Sequence, residues 1–440
     1  MTNKYDEGNT TSLTPAVLIR HSSLVIRHYS GGSMDPLHNR SIVLGVSGSI
    51  ACYKAVDLAS RLVKAGALVD VVMTKNATKF VTPLCLKSIT HRPVVDDLWD
   101  MNAEMAIEHV GLAKRAAAIL IAPATANLLA KLSLGFAEDA LQTTVLDTRA
   151  PIVIAPAMEG DMYGAATTQE HIARLRARGV TFVEPEAGRL ASGLSGRGRL
   201  ADPETILGML RVVLAQGGDL AGRRIVISAG GTQEPIDPVR IITNRSSGKM
   251  GYALAEAARD RGAAVTLIAT PTTDALAVPI GVELVRVGTV IEMHEAVRAA
   301  TATADTLIMA AAVSDYRVAH PAEQKIKKRG AAASGLTIEL IANPDILAET
   351  PGDFVRVGFA AESEDLLANA TQKLTKKNLD LIVANDITGT GSGFGSDTNR
   401  VILLGRGGSA EELPILPKRE VADAILDRVA QILAAREAAS

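Results

Sequence analysis

Short apolar runs alternate with longer amphipathic segments along most of the chain, starting at Ser41. The longer segments repeat their apolar positions about every 3.6 residues, as helices do, and the short runs are predominantly apolar. This alternation predicts parallel strands connected by helices, because a strand covered by helices on both faces has no polar side. In the first half, the predicted strands are Ser41–Val46, Leu68–Met73, Ala117–Ala122, Ile152–Ala155 and Val180–Val183. The predicted helices there are Ile50–Ala65, Thr125–Leu132, Asp139–Leu146, Thr167–Arg178 and Pro203–Leu214.

The second half repeats this plan after a short glycine-containing segment, Ala215–Asp219. We interpret that segment as a linker between a first domain of residues 41–215 and a second domain of residues 216–440. Both are predicted to be α/β, the first a flavodoxin-like doubly wound sheet and the second a Rossmann-like sheet. The second domain's predicted strands are Arg224–Ser228, Ala264–Ala269, Val282–Val287, Thr306–Ala311, Val355–Ala360, Leu379–Ala384 and Arg400–Leu404, and its last predicted helix is Glu420–Ala435.

The first forty residues lack this pattern and are rich in Ser, Thr, Asn and Gly. Their two apolar stretches, Ala16–Ile19 and Leu24–Ile26, are too short for the core of a signal peptide. We therefore predict a disordered leader over residues 1–40.

Composition narrows the classes of function. The formal net charge of −2 gives no overall positive field for binding nucleic acid. No apolar run approaches the roughly 20 residues that a membrane-spanning helix needs, so no membrane segment is predicted. The two cysteines, Cys52 and Cys85, have neither CxxC nor metal-ligand spacing, which favours a reducing cytoplasmic location.

An unusually long loop, Gly230–Gly251, has the sequence GGTQEPIDPVRIITNRSSGKMG. It follows the predicted strand Arg224–Ser228 and precedes a helical pattern at Tyr252–Arg261. Glycine-bearing turns in this position bind phosphate in α/β folds. The loop matches neither GxGxxG nor the Walker A motif, and it is too long for a tight pyrophosphate turn. Because loops of this length are usually functional, we predict that it reaches over a ligand.

In the first domain, three polar turns follow predicted strands at one edge of the sheet. Gly45–Ile50 leaves the first strand, Thr74 ends the second, and Ala122–Asn127 ends another. Hydroxyls, backbone N–H groups and helix N-termini at such an edge suit a phosphate-bearing cofactor. Each turn alone could be an ordinary one, and Asn127 could merely cap its turn. Together the three favour a site for flavin mononucleotide (FMN).

A series of motifs resembles a known family, the bifunctional flavoproteins of coenzyme A synthesis. In that family, phosphopantothenoylcysteine decarboxylase is joined to phosphopantothenate–cysteine ligase. The resemblance extends from Ser41 to about Ala435, and the order of the motifs makes it specific. The motifs are GVSGSIACYK, APATANLLAK, APAM, DPVRIITNRSSGKMG, AAVSDYR, KIKK, NPDI, GFAAE, KKNLDLIVAND and GSD.

The resemblance implies FMN as a cofactor and assigns residues of the first domain to its phosphate and ring. His109 matches the family's active-site histidine, although by itself it would be interpreted as a residue at a helix start. The flavin-binding residues would be Gly48, Ser49, Ile50, Thr74, Thr125, Ala126, Asn127, Leu128 and Ala157.

Two positions depart from the family pattern. In the family's reaction, flavin oxidises the cysteinyl thiol to a thioaldehyde, CO2 leaves, and the ene-thiol is protonated and reduced. Glu159 replaces the usual asparagine, and Ser192, in the lid segment Arg189–Arg199, replaces the cysteine that donates the proton. Serine is a far weaker acid than cysteine. We interpret Glu159 and Ser192 as a compensating catalytic pair, on the expectation that the Glu159 carboxyl is buried beside the flavin. Water held by the serine hydroxyl is an alternative proton source, and Cys52 is another candidate, although we expect it to lie too far from the lid. We expect the lid to close over the flavin.

For the second domain, the resemblance implies that CTP activates 4′-phosphopantothenate to an acyl-cytidylate, and that cysteine then displaces CMP. Lysines and Mg2+ would neutralise the negative charge that gathers in both steps, but the metal ligands are unknown. Asn244 would act in turnover of the acyl-cytidylate. The nucleotide-binding residues would be Met309, Ala310, Ala311, Asp315, Lys325, Asn343, Pro344, Asp345, Ile346, Phe359, Lys373 and Lys377.

Several of these residues have ordinary alternatives. Asp315 could be a turn former, Asn343 or Asp345 a helix cap, and the run Lys325–Lys328 a solvated face. The lysines at positions 373 and 377 share one helix face, where like charges repel each other. Phosphates lying between the two lysines would explain that arrangement.

Three functions compete at this point. The first is a decarboxylase joined to a ligase. The second is a CTP-dependent ligase whose flavin-binding first domain has lost or altered its reaction, and the third is a flavin-binding regulatory module. The complete set of ligase motifs argues against the third for the whole chain. The resemblance also implies small-molecule substrates, no nucleic-acid or membrane partner, and a homo-oligomer with trimers of the first domain and dimers of the second.

Overall fold

The structure, a computed structural model, describes residues 34–98, 108–327, 336–362, 366–386 and 395–439. Most of the predicted leader and Lys328 lie outside these ranges. Residues 34–40, which we assigned to the leader, pack against the first domain. Leu37 is fully buried, and Asp35 accepts hydrogen bonds from Arg211 at 2.8 and 3.2 Å. The prediction of disorder is therefore wrong for the end of that segment.

The first domain contains a six-stranded sheet in which neighbouring strands are all parallel. Its strands are β1 (Ser41–Val46), β2 (Leu68–Met73), β3 (Val94–Val95), β4 (Ala118–Ala124), β5 (Ile152–Pro156) and β6 (Thr181–Phe182). The order across the sheet is β3-β2-β1-β4-β5-β6. Without β3, which the sequence did not predict, this is the flavodoxin-like order, so the predicted fold class is confirmed.

Helices cover both faces of this sheet, and an antiparallel hairpin lies beyond its carboxyl edge. The helices are α1 (Cys52–Lys64), α2 (Pro83–Thr90), α3 (Glu108–Arg115), α4 (Ala126–Leu134), α5 (Ala140–Asp147), α6 (Gly160–Gly164), α7 (Ala166–Ala177) and α8 (Pro203–Leu214). The hairpin consists of β7 (Glu186–Arg189) and β8 (Ser195–Arg199) and contains the predicted lid.

A buried carboxylate ties several of these elements together. Asp70, on β2, accepts hydrogen bonds from Ser41 Oγ at 3.3 Å, Arg92 Nε at 2.7 Å and Arg115 Nε at 3.1 Å. Burial alone would raise the pKa of Asp70, but the two guanidinium groups outweigh it and hold that pKa below its usual value. Because Arg115 ends α3, this contact fixes the helix that carries His109.

The second domain contains an eight-stranded sheet with the order β13-β12-β9-β14-β17-β18-β20-β21. The first six strands in that order are parallel and have the Rossmann order, as predicted; the last two are antiparallel. The sheet strands are β9 (Arg224–Ala229), β12 (Ala264–Ala269), β13 (Glu283–Arg286), β14 (Thr306–Met309), β17 (Val355–Glu362), β18 (Leu381–Asp386), β20 (Val401–Gly405) and β21 (Ala410–Glu412).

Shorter strands pair outside this sheet, and five α-helices complete the described part of the domain. The short strands are β10 (Gln233–Pro235), β11 (Ile241–Thr243), β15 (Tyr316–Val318), β16 (Leu340–Ala342), β19 (Thr398–Asn399) and β22 (Leu416–Pro417). The helices are α9 (Lys249–Asp260), α10 (Val290–Thr301), α11 (Ile346–Glu349), α12 (Leu366–Lys376) and α13 (Lys418–Ala439).

The predicted linker is ordered and tied to the second domain, although Gln216, Gly217 and Asp219 are exposed. Ala215–Gly217 forms a short 3-10 helix, and a Cβ atom at Gly218 would lie 2.2 Å from the carbonyl oxygen of Arg261. Arg261 also donates to Asp219 Oδ1 at 3.0 Å. Among the described helices, none is long and apolar enough to cross a membrane.

Candidate functional site

The polar turns at the carboxyl edge of the first sheet meet as the sequence predicts. β1 and β2 run in register from Ser41–Leu68 to Val46–Met73, so the residues after them emerge side by side. Ser47 Oγ donates to the carbonyl oxygen of Pro123 at 2.8 Å and accepts from the backbone N–H of Thr125 at 2.9 Å. The buried Ser47 hydroxyl therefore joins the turn after β1 to the turn after β4.

The turns after β2 and β5 approach the same place. Ser49 Oγ donates to the carbonyl oxygen of Ala157 at 3.3 Å, which connects the turn after β1 to the turn after β5. A Cβ atom at Gly48 would lie 2.5 Å from Asn76 Cβ, just beyond Thr74. All nine predicted flavin residues thus lie in four neighbouring turns.

The groups at this edge suit an anionic, planar cofactor. The nine residues contribute hydroxyl, amide and backbone groups and no carboxylate, and α1 and α4 both begin at this edge. Thr125 caps α4 by accepting from the backbone N–H of Leu128 at 3.3 Å. Asn127 is therefore not the cap, and its exposed side chain lies in the first turn of α4. Helix N-termini of this kind stabilise phosphate.

Glu159 and Ser192, the two departures from the family pattern, are in direct contact. Ser192 Oγ donates to Glu159 Oε1 at 2.8 Å, and the same hydroxyl accepts from the backbone N–H of Leu194 at 3.3 Å. Glu159 is half-buried and Ser192 is exposed. The carboxyl group is therefore held beside the lid serine, in a position that solvent reaches.

The lid hairpin is docked on the turn that carries Glu159. The backbone N–H of Met158 donates to the carbonyl oxygen of Gly198 at 3.0 Å. A Cβ atom at Gly198 would lie 2.2 Å from the carbonyl oxygen of Met158, so only glycine permits this approach. Since Ala157 precedes Met158, the lid lies next to a predicted flavin residue.

A second polar cluster, which sequence reasoning missed, lines the cavity beside Glu159. Tyr163 Oη donates to Glu184 Oε2 at 2.6 Å, and Glu184 also pairs with Arg176 and with Arg197. Burial and the hydrogen bond to Glu184 raise the pKa of Tyr163 to about 12. The phenol therefore stays protonated at neutral pH and fixes Glu184 against the turn below the lid.

His109 is half-buried in the first turn of α3. That helix packs against α5, and the residues immediately before it lie outside the described ranges. Among the described residues, no hydrogen bond joins His109 to the four turns, so its predicted catalytic role stays a prediction.

The second domain contains a cleft of about 850 Å³ at the carboxyl edge of its sheet. The cleft is lined by Asn244 and by every predicted nucleotide-binding residue except Lys325. These lining residues are Met309, Ala310, Ala311, Asp315, Asn343, Pro344, Asp345, Ile346, Phe359, Lys373 and Lys377. Residues from five separate segments therefore converge on one cavity.

A salt bridge at one end of this cleft, near α11 and α12, shows that the lysines at positions 373 and 377 do not require phosphates between them. Lys377 Nζ lies 2.9 Å from Asp345 Oδ2, so Asp345 compensates the Lys377 charge without a phosphate. Asp345 also caps α11 by accepting from the backbone N–H of Ala348 at 3.3 Å. Asn343 is not the cap, because its Oδ1 accepts from Arg317 Nη1 at 3.0 Å; its Nδ2 donates to the carbonyl oxygen of Ser314 at 2.9 Å.

Lys325 is exposed and does not line the cleft. The next residue, Ile326, is fixed at both of its backbone polar groups. Its N–H donates to Asp237 Oδ2 at 3.1 Å, and its carbonyl oxygen accepts from Arg240 at 3.2 Å. The loop Gly230–Gly251 therefore anchors the described part of the lysine run.

The same loop forms one wall of the cleft. It contains the hairpin β10–β11, and α9 starts at Lys249, earlier than predicted. Gly248 has φ = 70°, and a Cβ atom there would lie 2.3 Å from Thr273 Cγ2. Asn244 Nδ2 donates to the carbonyl oxygen of Ala312 at 3.1 Å, which holds Asn244 at the cleft wall.

The cleft is also lined by residues that the sequence analysis did not select, chiefly Lys249, Asn385, Asn399 and Lys418. They come from segments up to 169 residues apart in the chain, and no local motif connects them. Among the described residues, no cluster of three or more His, Cys, Asp or Glu side chains is placed to hold a metal ion.

Comparison with known proteins finds two family matches, and each match covers one of the two sheets. Residues 32–214 match the family described as Flavoprotein. Residues 220–433 match the family described as DNA/pantothenate metabolism flavoprotein, C-terminal domain.

Similar proteins extend over nearly the whole chain. The coenzyme A biosynthesis bifunctional protein CoaBC of Vibrio parahaemolyticus is 44% identical over 91% of this chain and 100% of its own length. The protein of the same name from Bacillus subtilis is 43% identical over 90% of this chain and 98% of its own length. The corresponding Escherichia coli protein is 44% identical over 89% of this chain and 97% of its own length.

Two solved structures each resemble one part of the chain. The C-terminal domain of a CoaBC protein is 40% identical, covers 49% of this chain and 98% of that domain, and has a TM-score of 0.42. The FMN-dependent cysteine decarboxylase SpaF is 31% identical, covers 41% of this chain and 98% of that structure, and has a TM-score of 0.36.

Proposed function

This chain belongs to the family of coenzyme A biosynthesis bifunctional proteins, and on that premise we propose how its two sites divide the work. The second domain couples 4′-phosphopantothenate to cysteine with CTP. The first domain then decarboxylates the product to 4′-phosphopantetheine. We assign the ligase to residues 216–440 and the decarboxylase to residues 41–215.

The ligase reaction proceeds in two steps within the cleft of the second domain. A carboxylate oxygen of phosphopantothenate attacks the α-phosphorus of CTP, and the bond to pyrophosphate breaks. The amine of cysteine then forms an amide bond to the acyl carbon, the acyl–oxygen bond to CMP breaks, and one amine proton leaves to solvent. Asn244 faces the intermediate in this arrangement, because the cleft wall fixes its amide.

The nucleotide occupies the end of the cleft formed by residues 343–346, Phe359 and the two lysines of α12. Lys373 and Lys377 offset the charge that accumulates on the phosphates, as preorganised cations do in phosphoryl transfer. Asp345 orients Lys377 through their 2.9 Å contact. Mg2+ bound together with the nucleotide would supply part of the remaining charge neutralisation, and Lys325 would approach the triphosphate from the loop that Asp237 and Arg240 hold.

The first domain would hold FMN in its four converging turns. Its phosphate would lie at Gly48 and Ser49 near the start of α1, and its ring beside Thr125 and Ala157. When bound, FMN supplies the oxidation of the thiol and the later return of the electrons. The protein itself orients the substrate, keeps water out beneath the lid and delivers a proton.

That proton comes from the Glu159–Ser192 pair in this proposal. The lid places Ser192 Oγ 2.8 Å from Glu159 Oε1, which is within range for proton transfer between the two groups. In this relay, a proton that the Glu159 carboxylate takes up from solvent would pass to Ser192 Oγ, and Ser192 would give its own hydroxyl proton to the ene-thiol, in place of its hydrogen bond to Glu159. In this proposal, two groups in contact take the role of the acidic thiol that the family normally carries in the lid.

The observation that carries this proposal is the convergence of the predicted nucleotide residues and Asn244 on one cleft. The test is to incubate the purified protein with 4′-phosphopantothenate, cysteine, CTP and Mg2+ and to measure product masses. We expect FMN to copurify, 4′-phosphopantetheine to form, and ATP to replace CTP poorly. A colourless protein that binds no added FMN would contradict the proposal for the first domain. Equal turnover with ATP would contradict the proposal for the second domain.

A second candidate function is a CTP-dependent ligase with an altered first domain. The replacement of the lid cysteine by Ser192 favours it. The same incubation distinguishes the two functions. A ligase with an altered first domain would accumulate 4′-phosphopantothenoylcysteine, or its oxidised decarboxylation product, in place of 4′-phosphopantetheine.

A further inference from the structure

The end of the ligase cleft opposite the nucleotide residues has a polar wall of its own. Asn385, at the end of β18, lies two strand positions from Asn399, because Asn385 pairs with Val401 on β20. Asn399 in turn pairs with Leu416 on β22, and Lys418 begins α13 directly after that strand. Strand pairing thus brings three distant polar residues to one end of the cavity.

Two amide oxygens in this wall lack hydrogen-bond partners. Neither Asn385 Oδ1 nor Asn399 Oδ1 accepts a hydrogen bond from any residue that the structure describes. Asn399 is 3% exposed, and its Nδ2 lies 4.0 Å from the sulfur of Met250. Unpaired buried acceptors are rare and costly in folded proteins, so they indicate a missing donor.

A buried cation lies beside these acceptors. Lys418 is 8% exposed, and its ammonium donates to the carbonyl oxygens of Ser396 and Thr398, which leaves one N–H available. Burial and the neighbouring Lys249 lower the pKa of Lys418, while Asp397, which pairs with Lys249 at 2.6 Å, raises it; two lysines and one carboxylate leave a net positive charge. A positive field of this kind attracts a carboxylate and disfavours a second ammonium group.

This end lies on the other face of the sheet from Ile346, although Phe359, which we assign to the nucleotide, packs on the same face as Met250. Met250 belongs to the core between the sheet and helices α9 and α13. Ile346 and Leu347 belong to the core on the opposite face, with α10 and α12. A ligand at the Asn399 end therefore need not displace a nucleotide at the Asp345 end.

We propose that the wall formed by Asn385, Asn399 and Lys418 binds the amino acid substrate. The inference rests on the proposed ligase function, which makes that substrate cysteine. Its carboxylate would face Lys418, and its neutral amine would donate its two N–H groups to the two amide oxygens. The amine lone pair then remains free to attack the acyl carbon. A phosphate fits less well, because its oxygens would face two other acceptors.

The first test measures KM for cysteine and for CTP in the full chain. We expect Asn399→Leu to raise KM for cysteine roughly tenfold, the usual effect of a lost hydrogen bond or two, with little change in KM for CTP. Asn399→Asp keeps an acceptor and should recover most of that loss. Asn343→Ala, at the opposite end, should instead raise KM for CTP.

The second test starts from the unmodified protein and does not depend on the folding of an Asn399 variant. Cysteamine has the amine and thiol of cysteine but no carboxylate, so the unmodified protein should prefer cysteine at least tenfold in kcat/KM. Lys418→Met should remove most of that preference. A protein that uses both amines equally well, or an Asn399→Leu variant that loses CTP affinity in place of cysteine affinity, would overturn the inference.

The proposed function has a separate readout. Release of pyrophosphate from CTP and 4′-phosphopantothenate without cysteine reports the first ligase step alone. If that step is absent in the unmodified protein, the ligase proposal itself fails. If pyrophosphate is released but KM for cysteine does not change in the Asn399 and Lys418 variants, only the proposed amino acid site is wrong.

Discussion

The pair formed by Glu159 and Ser192 gives a prediction whose size can be worked out. Ser192→Ala removes one hydrogen bond of 2.8 Å between groups that solvent reaches. Such a bond to a charged group at the surface contributes about 1 kcal/mol, or roughly fivefold in rate. Glu159→Gln preserves an acceptor for the serine but cannot take up a proton and pass it on. Loss of a general acid typically costs about a hundredfold to ten-thousandfold.

We therefore expect decarboxylation to fall only modestly in Ser192→Ala and by about a hundredfold or more in Glu159→Gln. The assay is CO2 release from 4′-phosphopantothenoylcysteine, with FMN content and the ligase rate of the same preparation as internal controls. Asp161→Asn, two residues further along, is a matched loss of a carboxylate and should behave as the unmodified protein does. A Glu159→Gln variant within twofold of the unmodified rate would refute the reasoning, as would a larger effect of Ser192→Ala.

Three further predictions address other parts of the structure. Asn244→Asp should let pyrophosphate form but delay CMP release, so that acyl-cytidylate accumulates in a quenched reaction; unchanged CMP release would contradict this. Gly48→Ala should lower the FMN-to-protein ratio without changing the ligase rate, because the added Cβ would lie 2.5 Å from Asn76. Asp70→Asn should lower the free energy of unfolding at pH 7 by about 1–3 kcal/mol, the cost of unpairing a buried charge network. Because the pKa of Asp70 is lowered by its two arginines despite burial, this stabilisation exists above pH 3.8 and is lost as the pH falls below it; urea unfolding at pH 7 and pH 3 would measure it.

The sheets could be predicted from the sequence because both are largely parallel and buried. Strands such as β1, β2 and β12 are predominantly apolar, and the predicted bounds match the structure. β3 was missed because it has only two residues, Val94 and Val95. The hairpin β7–β8 was missed because its sequence, rich in Gly and Arg, lacks the alternation typical of strands.

The site could be predicted only where residues lie close together in the sequence. The turn containing Thr125 and the segment containing Asn343 and Asp345 are local patterns, and each lines the expected cavity or edge. Asn399 and Lys418 carry no pattern of their own. Their positions depend on the antiparallel strands that follow β18, and no rule about parallel βα units predicts how those strands pair.

The contact between Glu159 and Ser192 shows why departures from a family pattern should be interpreted together. Taken singly, the serine removes an acid and the carboxylate repels a carboxylate substrate, so each change argues against decarboxylation. The two residues are 33 positions apart in the sequence, but the lid hairpin places their side chains 2.8 Å apart. The contact does not remove the repulsion of a carboxylate substrate, but it places the carboxyl group within proton-transfer distance of the hydroxyl. We therefore propose that the two substitutions act as one proton-transfer pair, and the coupling between them is measurable: Ser192→Ala should add little to a chain that already carries Glu159→Gln.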